Sequence, residues 1–141
     1  MDTACYLEPT WNAGRDFAQR EITGELVMLN LLRFREIADY SQSPKLAPPQ
    51  PITGAEAYDR YVAHTLPHLR KSGGDILFMA EGGTFLIGPE GERWDRAMLI
   101  RQKSRGAFLA FGVAEAYLAG IGHRTAALAD SRLLPLVELP R

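Results

Sequence analysis

Glu25-Leu26-Val27-Met28-Leu29-Asn30-Leu31-Leu32-Arg33-Phe34 is apolar at nearly every position. A half-exposed strand alternates apolar and polar residues, so an unbroken apolar run of this length reads as a strand covered on both faces. Such a strand is central in its sheet. Its greasiest part, Leu26 to Leu32, is interrupted by Asn30 and falls far short of the roughly 20 residues that span a bilayer.

Upstream, Pro9 to Gln19 carries Trp11, Phe17 and Ala18 among polar residues, which predicts a short helix laid on the body by its aromatics. Downstream, Ser41, Ser43, Pro44, Pro48, Pro49 and Pro51 make 37–53 an exposed proline-rich loop. Thr53-Gly54-Ala55-Glu56 has the spacing of a capping box and predicts a helix start. The apolar side of that helix runs through Ala57, Tyr58, Tyr61, Val62, Thr65, Leu66 and Leu69 to a stop at Ser72-Gly73-Gly74, with Pro67 kinking its last turns.

Ile76–Ala80 and Thr84–Ile87 read as one strand interrupted at Gly82-Gly83, and Arg93–Arg101 as its antiparallel partner across the turn Gly88-Pro89-Glu90-Gly91. Ser104 can cap a second helix bearing Phe108, Leu109, Phe111, Val113, Ala116, Tyr117 and Ile121, with a break at Gly112. Ser131–Glu138 is the last strand.

Strand, helix, strand, strand, helix, strand is the βαββαβ order of an α+β, ferredoxin-like fold with a four-stranded antiparallel sheet. Residues 1–24 are expected to form an N-terminal arm with a short helix, and residues 25–141 a single ferredoxin-like domain. Two helices cover one face of such a sheet. A central strand apolar on both sides needs a lid on the other face, and a second copy of the chain is the simplest one, so a homodimer is expected.

The 141 residues carry 16 Lys+Arg against 17 Asp+Glu, which argues against nucleic acid or an anionic membrane as partner. Asp2 stands where a signal peptide would carry positive charge, and the single cysteine, Cys5, suits a reducing compartment. A cytoplasmic location is expected.

Met28-Leu29-Asn30-Leu31-Leu32-Arg33-Phe34-Arg35, Gly54-Ala55-Glu56-Ala57-Tyr58, Ile87-Gly88-Pro89-Glu90, Trp94-Asp95 and His123-Arg124-Thr125-Ala126-Ala127-Leu128-Ala129-Asp130-Ser131-Arg132 occur in this order between Tyr6 and Glu138. Together they resemble the bacterial domain of unknown function 1330 family of the dimeric α/β-barrel superfamily. The resemblance implies a dimeric α/β barrel with a pocket between sheet and helices. The superfamily includes cofactor-independent monooxygenases, haem-degrading proteins, decarboxylases and isomerases, and fold alone does not choose among them.

Several residues can carry chemistry. Asn30, an amide inside a greasy strand, either orients a substrate oxygen or is bonded to a neighbouring loop. His123, placed near a helix C-terminus that favours its cationic form, is a candidate acid or base or a cap for the last carbonyls. Arg124 can hold a substrate carboxylate or pair with Asp130 or Glu138. Trp94 and Asp95 offer a flat wall and a carboxylate, or packing and a solvated charge. Tyr61 lies on the inner side of its helix with Tyr58, where core aromatics are common. Arg33 and Arg35 either bind an anion or meet Glu36 and Asp39. His64 and His68 share a helix face, but Pro67 distorts the turn and no further ligand stands nearby in sequence, so no metal site is expected.

The function that follows is a cofactor-independent enzyme for a small organic molecule. His123 and Asn30 would be its catalytic residues, with Arg124, Trp94, Tyr61, Arg33 and Asp95 contacting substrate. The alternatives are a non-catalytic small-molecule or haem-binding protein and a purely structural dimer.

Overall fold

The computed structural model describes residues 4–141; the first three residues of the expected arm lie outside the described residues. In chain order the elements are α1 (Trp11–Gln19), β1 (Leu26–Phe34), α2 (Gly54–Lys71), β2 (Asp75–Thr84), β3 (Arg93–Gln102), α3 (Arg105–Gly112), α4 (Glu115–Leu118), α5 (Ile121–Ala127) and β4 (Leu128–Leu136). The strands form one antiparallel sheet in the order β2-β3-β1-β4, with β1 inside. This is the ferredoxin-like α+β arrangement.

Alternation along β1 sends Leu26, Met28, Asn30 and Leu32 to the buried side. There Leu32 and Met98 join Tyr58 and Ala57 of α2 and Ala126 and Ala127 of α5 in the core. On the opposite side an apolar row crosses all four strands, because Phe78 pairs with Leu99, Leu99 with Leu29, and Leu29 with Leu134. Its two ends stay open: Phe78 is 57% and Leu134 54% exposed.

The capping box forms at the start of α2. Thr53 Oγ1 accepts from the Glu56 amide and Glu56 Oε1 from the Thr53 amide, both at 3.1 Å. Gly54 follows because three backbone segments meet there. A Cβ would stand 2.2 Å from the Arg35 carbonyl oxygen and 2.7 Å from that of Ala127. The helix runs through Pro67 to Lys71.

Two strand readings need correction. The β2 strand continues through Gly82-Gly83 and ends at Thr84, and the register shift lies between Ile76 and Phe78. The glycine at 82 serves close approach, since a Cβ there would meet the Trp94 carbonyl oxygen at 2.3 Å. Phe85–Ile87 therefore belong to the loop, where Leu86 is fully exposed. The last strand begins at Leu128, with Phe34 paired to Leu128 across it. The second helical region ends α3 at Gly112, as the sequence predicts, and resumes as α4 and α5. In the arm, α1 rests on the body through an edge-to-face contact of Phe17 with Phe108, at 5.5 Å between ring centres. Trp11 points out and is 75% exposed, beneath the Arg15 guanidinium.

Candidate functional site

Asn30 lies on the helix-facing side of β1, between Met98 and Leu133, and its Nδ2 donates to the Met28 carbonyl at 3.2 Å. That bond ties part of the amide back to its own strand.

His123 is the third residue of α5, in its first turn, which corrects the expected C-terminal position. Its environment reverses the expected charge preference too. Burial, then the positive charge of Arg60 and proximity of His64, hold the imidazole below its ordinary value of 6.5 and favour the neutral form. Its Nδ1 is 2.8 Å from the Tyr40 hydroxyl, with the two rings edge to face. Tyr40 is pushed the other way, because burial penalises its phenolate. Tyr40 also lines a cleft of about 330 Å³ with Ile37, Ala38, Pro49, Pro51 and Ile52 of the proline-rich loop.

A second group of hydroxyls fills the space between α2 and α4. Tyr61 and Tyr117 share a hydrogen bond of 3.0 Å, and Tyr58 packs on Tyr61 at 5.2 Å. Burial raises Tyr61 well above its ordinary value and pushes Tyr58 up to about 12, with Arg124 pulling the other way in each case. Arg124 itself donates to the Leu7 carbonyl at 2.5 Å and to Ser131 Oγ at 3.4 Å, fastening the arm to β4. His64 Nε2 donates to the Ala116 carbonyl at 2.7 Å. Among the described residues no group of three His, Cys, Asp or Glu side chains is placed to hold a metal ion.

At the Phe34 end of the sheet, Trp94 is buried with the guanidiniums of Arg33 and Arg132 over its ring, 6.0 and 4.9 Å from its centre. Its indole N–H donates to Glu92 at 3.4 Å. Asp95 accepts from the Phe34 amide at 2.8 Å and from Arg93 at 2.9 Å. It also lines a cleft of about 290 Å³ with Phe34, Ala55, Glu81, Gly82 and Arg96. There Arg96 lies over the Phe34 ring and pairs with Asp59 at 2.8 Å.

Of the seven candidates, Arg33 and Trp94 meet each other, and Asp95 is held by the Phe34 amide and Arg93. Tyr61 and Arg124 sit near one another around Tyr58, while His123 is joined to Tyr40. Asn30 meets none of the other six through a hydrogen bond, ion pair or ring contact described above. Sequence reasoning missed Tyr40 and Arg132 as partners of the residues it singled out, and it set Asp130 beside Arg124, where the structure sets it beside Arg33. A tyrosine at the mouth of a proline-rich loop is a usable signal for the first. Arg132 and the place of Asp130 required the register that sets Asp130 opposite Arg33.

Two crystal structures resemble this chain over almost its whole length. One, of the RPA0582 protein of unknown function from Rhodopseudomonas palustris, shares 32% identity over 98% of this chain and 100% of that one, with a TM-score of 0.83. The methylated RPA0582 protein gives 32% identity, 96% of each chain and a TM-score of 0.85. The chain belongs to the RPA0582 family. Membership fixes the fold, and the family relative brings no reaction with it. A dimeric ferredoxin-like protein of unknown function from Thermobifida fusca is more distant, with 14% identity over 82% of this chain and 92% of that one, and a TM-score of 0.47. No protein-family model and no curated protein matches the chain.

Proposed function

We propose that this protein is a homodimer that handles a small organic molecule, with Tyr40 and His123 as its proton-carrying pair. The observation that carries the reading is the 2.8 Å bond between the Tyr40 hydroxyl and His123 Nδ1, made by a tyrosine that lines a 330 Å³ cleft. That volume falls in the range of small-molecule sites, which are mostly apolar with a few polar groups to fix orientation. Neutral His123 holds or gives one proton at Nε2. When Nδ1–H donates to Tyr40, Nε2 is a free base; when the phenol donates to Nδ1, Nε2 carries the proton. Neither step calls on a cofactor.

In this reading Asn30, Tyr61 and Arg124 serve the fold more than the chemistry, since Asn30 Nδ2, the Tyr61 hydroxyl and the Arg124 guanidinium are engaged within the chain. Dimerisation is supported by the row Phe78, Leu99, Leu29 and Leu134 on the face the helices leave open. A second sheet over that row would remove its apolar area from water at about 25 cal/mol for each Å². The motif resemblance to the domain of unknown function 1330 family supports the same assembly, and the single cysteine, Cys5, suits the cytoplasm.

The test is a thermal-shift screen against phenols, quinones, aromatic acids and haem, run on the wild type, Tyr40→Phe and His123→Gln. A compound that stabilises the wild type and loses its effect in both variants supports the reading. A compound that stabilises all three equally places binding elsewhere and overturns it. A structural dimer without ligand is the second reading, favoured by the same open face. It is supported if no compound shifts any of the three proteins.

A further inference from the structure

Asp130 is the anchor of a cluster that the Tyr40 cleft and its His123 partner do not use. Its buried carboxylate accepts from the Tyr6 amide at 2.8 Å, the Ser131 amide at 2.9 Å and Arg132 Nη1 at 2.6 Å, all at Oδ1. Its Oδ2 is 3.6 Å from Arg33 Nη2. Burial alone would raise this carboxyl, but the two amides and Arg132 outweigh it and hold the group below its ordinary value. One fixed negative charge thus positions two guanidiniums.

Aromatic rings complete the fixing. Arg132 lies between Tyr6 and Trp94, 5.0 and 4.9 Å from their ring centres, and Arg33 covers Trp94 from 6.0 Å. Both side chains remain partly open to solvent, at 31% for Arg33 and 41% for Arg132. Asp130 is the one carboxylate paired with either of them among the described residues, and Glu92 stands on the indole N–H of Trp94. A guanidinium is a rigid fork of donors, and one already held in place loses little freedom when it takes an anion. Arg132 pairs across the sheet with Leu31, and Leu134 follows it on the same face, so the surroundings are apolar beyond the forks.

We propose that Arg33, Arg132 and Trp94 form a binding site for a small organic carboxylate at the Phe34 end of the sheet's open face. The carboxylate sits on the two guanidinium edges and its apolar body lies toward Leu31, beside the row that the second copy covers. The site is separate from the Tyr40 cleft and stands or falls without it.

Trp94 fluorescence tests this in a Trp11→Phe background, where Trp94 is the remaining tryptophan. The titrants are cyclohexanecarboxylate, its neutral analogue cyclohexylmethanol, and inorganic phosphate. The expected result is a saturable change with cyclohexanecarboxylate alone, weakened about tenfold or more by Arg132→Gln or by Arg33→Gln. Should Arg132→Gln fail to fold by circular dichroism, Arg33→Gln and Arg33→Lys carry the test, because lysine keeps the charge and loses the fork. Saturation by the neutral analogue or by phosphate with equal strength overturns the assignment. So do titrations that stay the same in the arginine variants, or a response that never saturates.

Discussion

The Tyr40 hydroxyl and His123 Nδ1, 83 positions apart in sequence, meet at 2.8 Å and tie the loop after β1 to α5. The bond is half-buried and joins two neutral partners. Tyr40→Phe keeps the ring and removes the hydroxyl, so it should cost about 1 kcal/mol of stability, read as a lower urea midpoint at unchanged slope.

The same histidine sets a pH dependence. Because burial, Arg60 and His64 hold its folded value below 6.5, the unfolded chain takes up this proton first as pH falls. The stability it contributes is complete above about pH 6.5 and is lost as pH drops below that value. The wild type should therefore lose more Tm than His123→Gln between about pH 7 and pH 5. Equal losses in the two proteins would contradict the shift.

Gly54 permits the contact of α2 with the Arg35 and Ala127 backbones. Gly54→Ala places a methyl 2.2 Å from a carbonyl oxygen that belongs to a backbone hydrogen bond and cannot swing away. The expected cost is about 1–3 kcal/mol, measured by denaturant unfolding, even though alanine is the better helix former.

The start of α2 was legible in sequence because its signals are local. Thr53 and Glu56 stand three residues apart and cap the helix where they stand, and Thr53→Ala should cost about 1 kcal/mol in the same unfolding assay. The β1 run was legible for a similar reason, since nine consecutive residues share one state. What failed was nonlocal. Ala126-Ala127-Leu128 fits a helix as well as a strand, and only its pairing with Arg35 and Phe34 ends α5 and starts β4 there. His123 stands in a first turn because the helix restarts at Ile121, and burial with Arg60 and His64 nearby inverts its expected charge preference. The contacts of Arg33 were half legible. An anion was foreseen beside it, and the chain supplies that anion itself as Asp130, visible only once β4 is set in register against β1.

The open sheet face tests the assembly most directly. Multi-angle light scattering at micromolar concentration should give the wild type twice the chain mass of 15.6 kDa, and Leu134→Glu, which sets a charge at the open β4 end of the row, should give the single-chain mass. A wild type that runs at 15.6 kDa, or a Leu134→Glu protein that keeps the doubled mass, would contradict a dimer formed through that face.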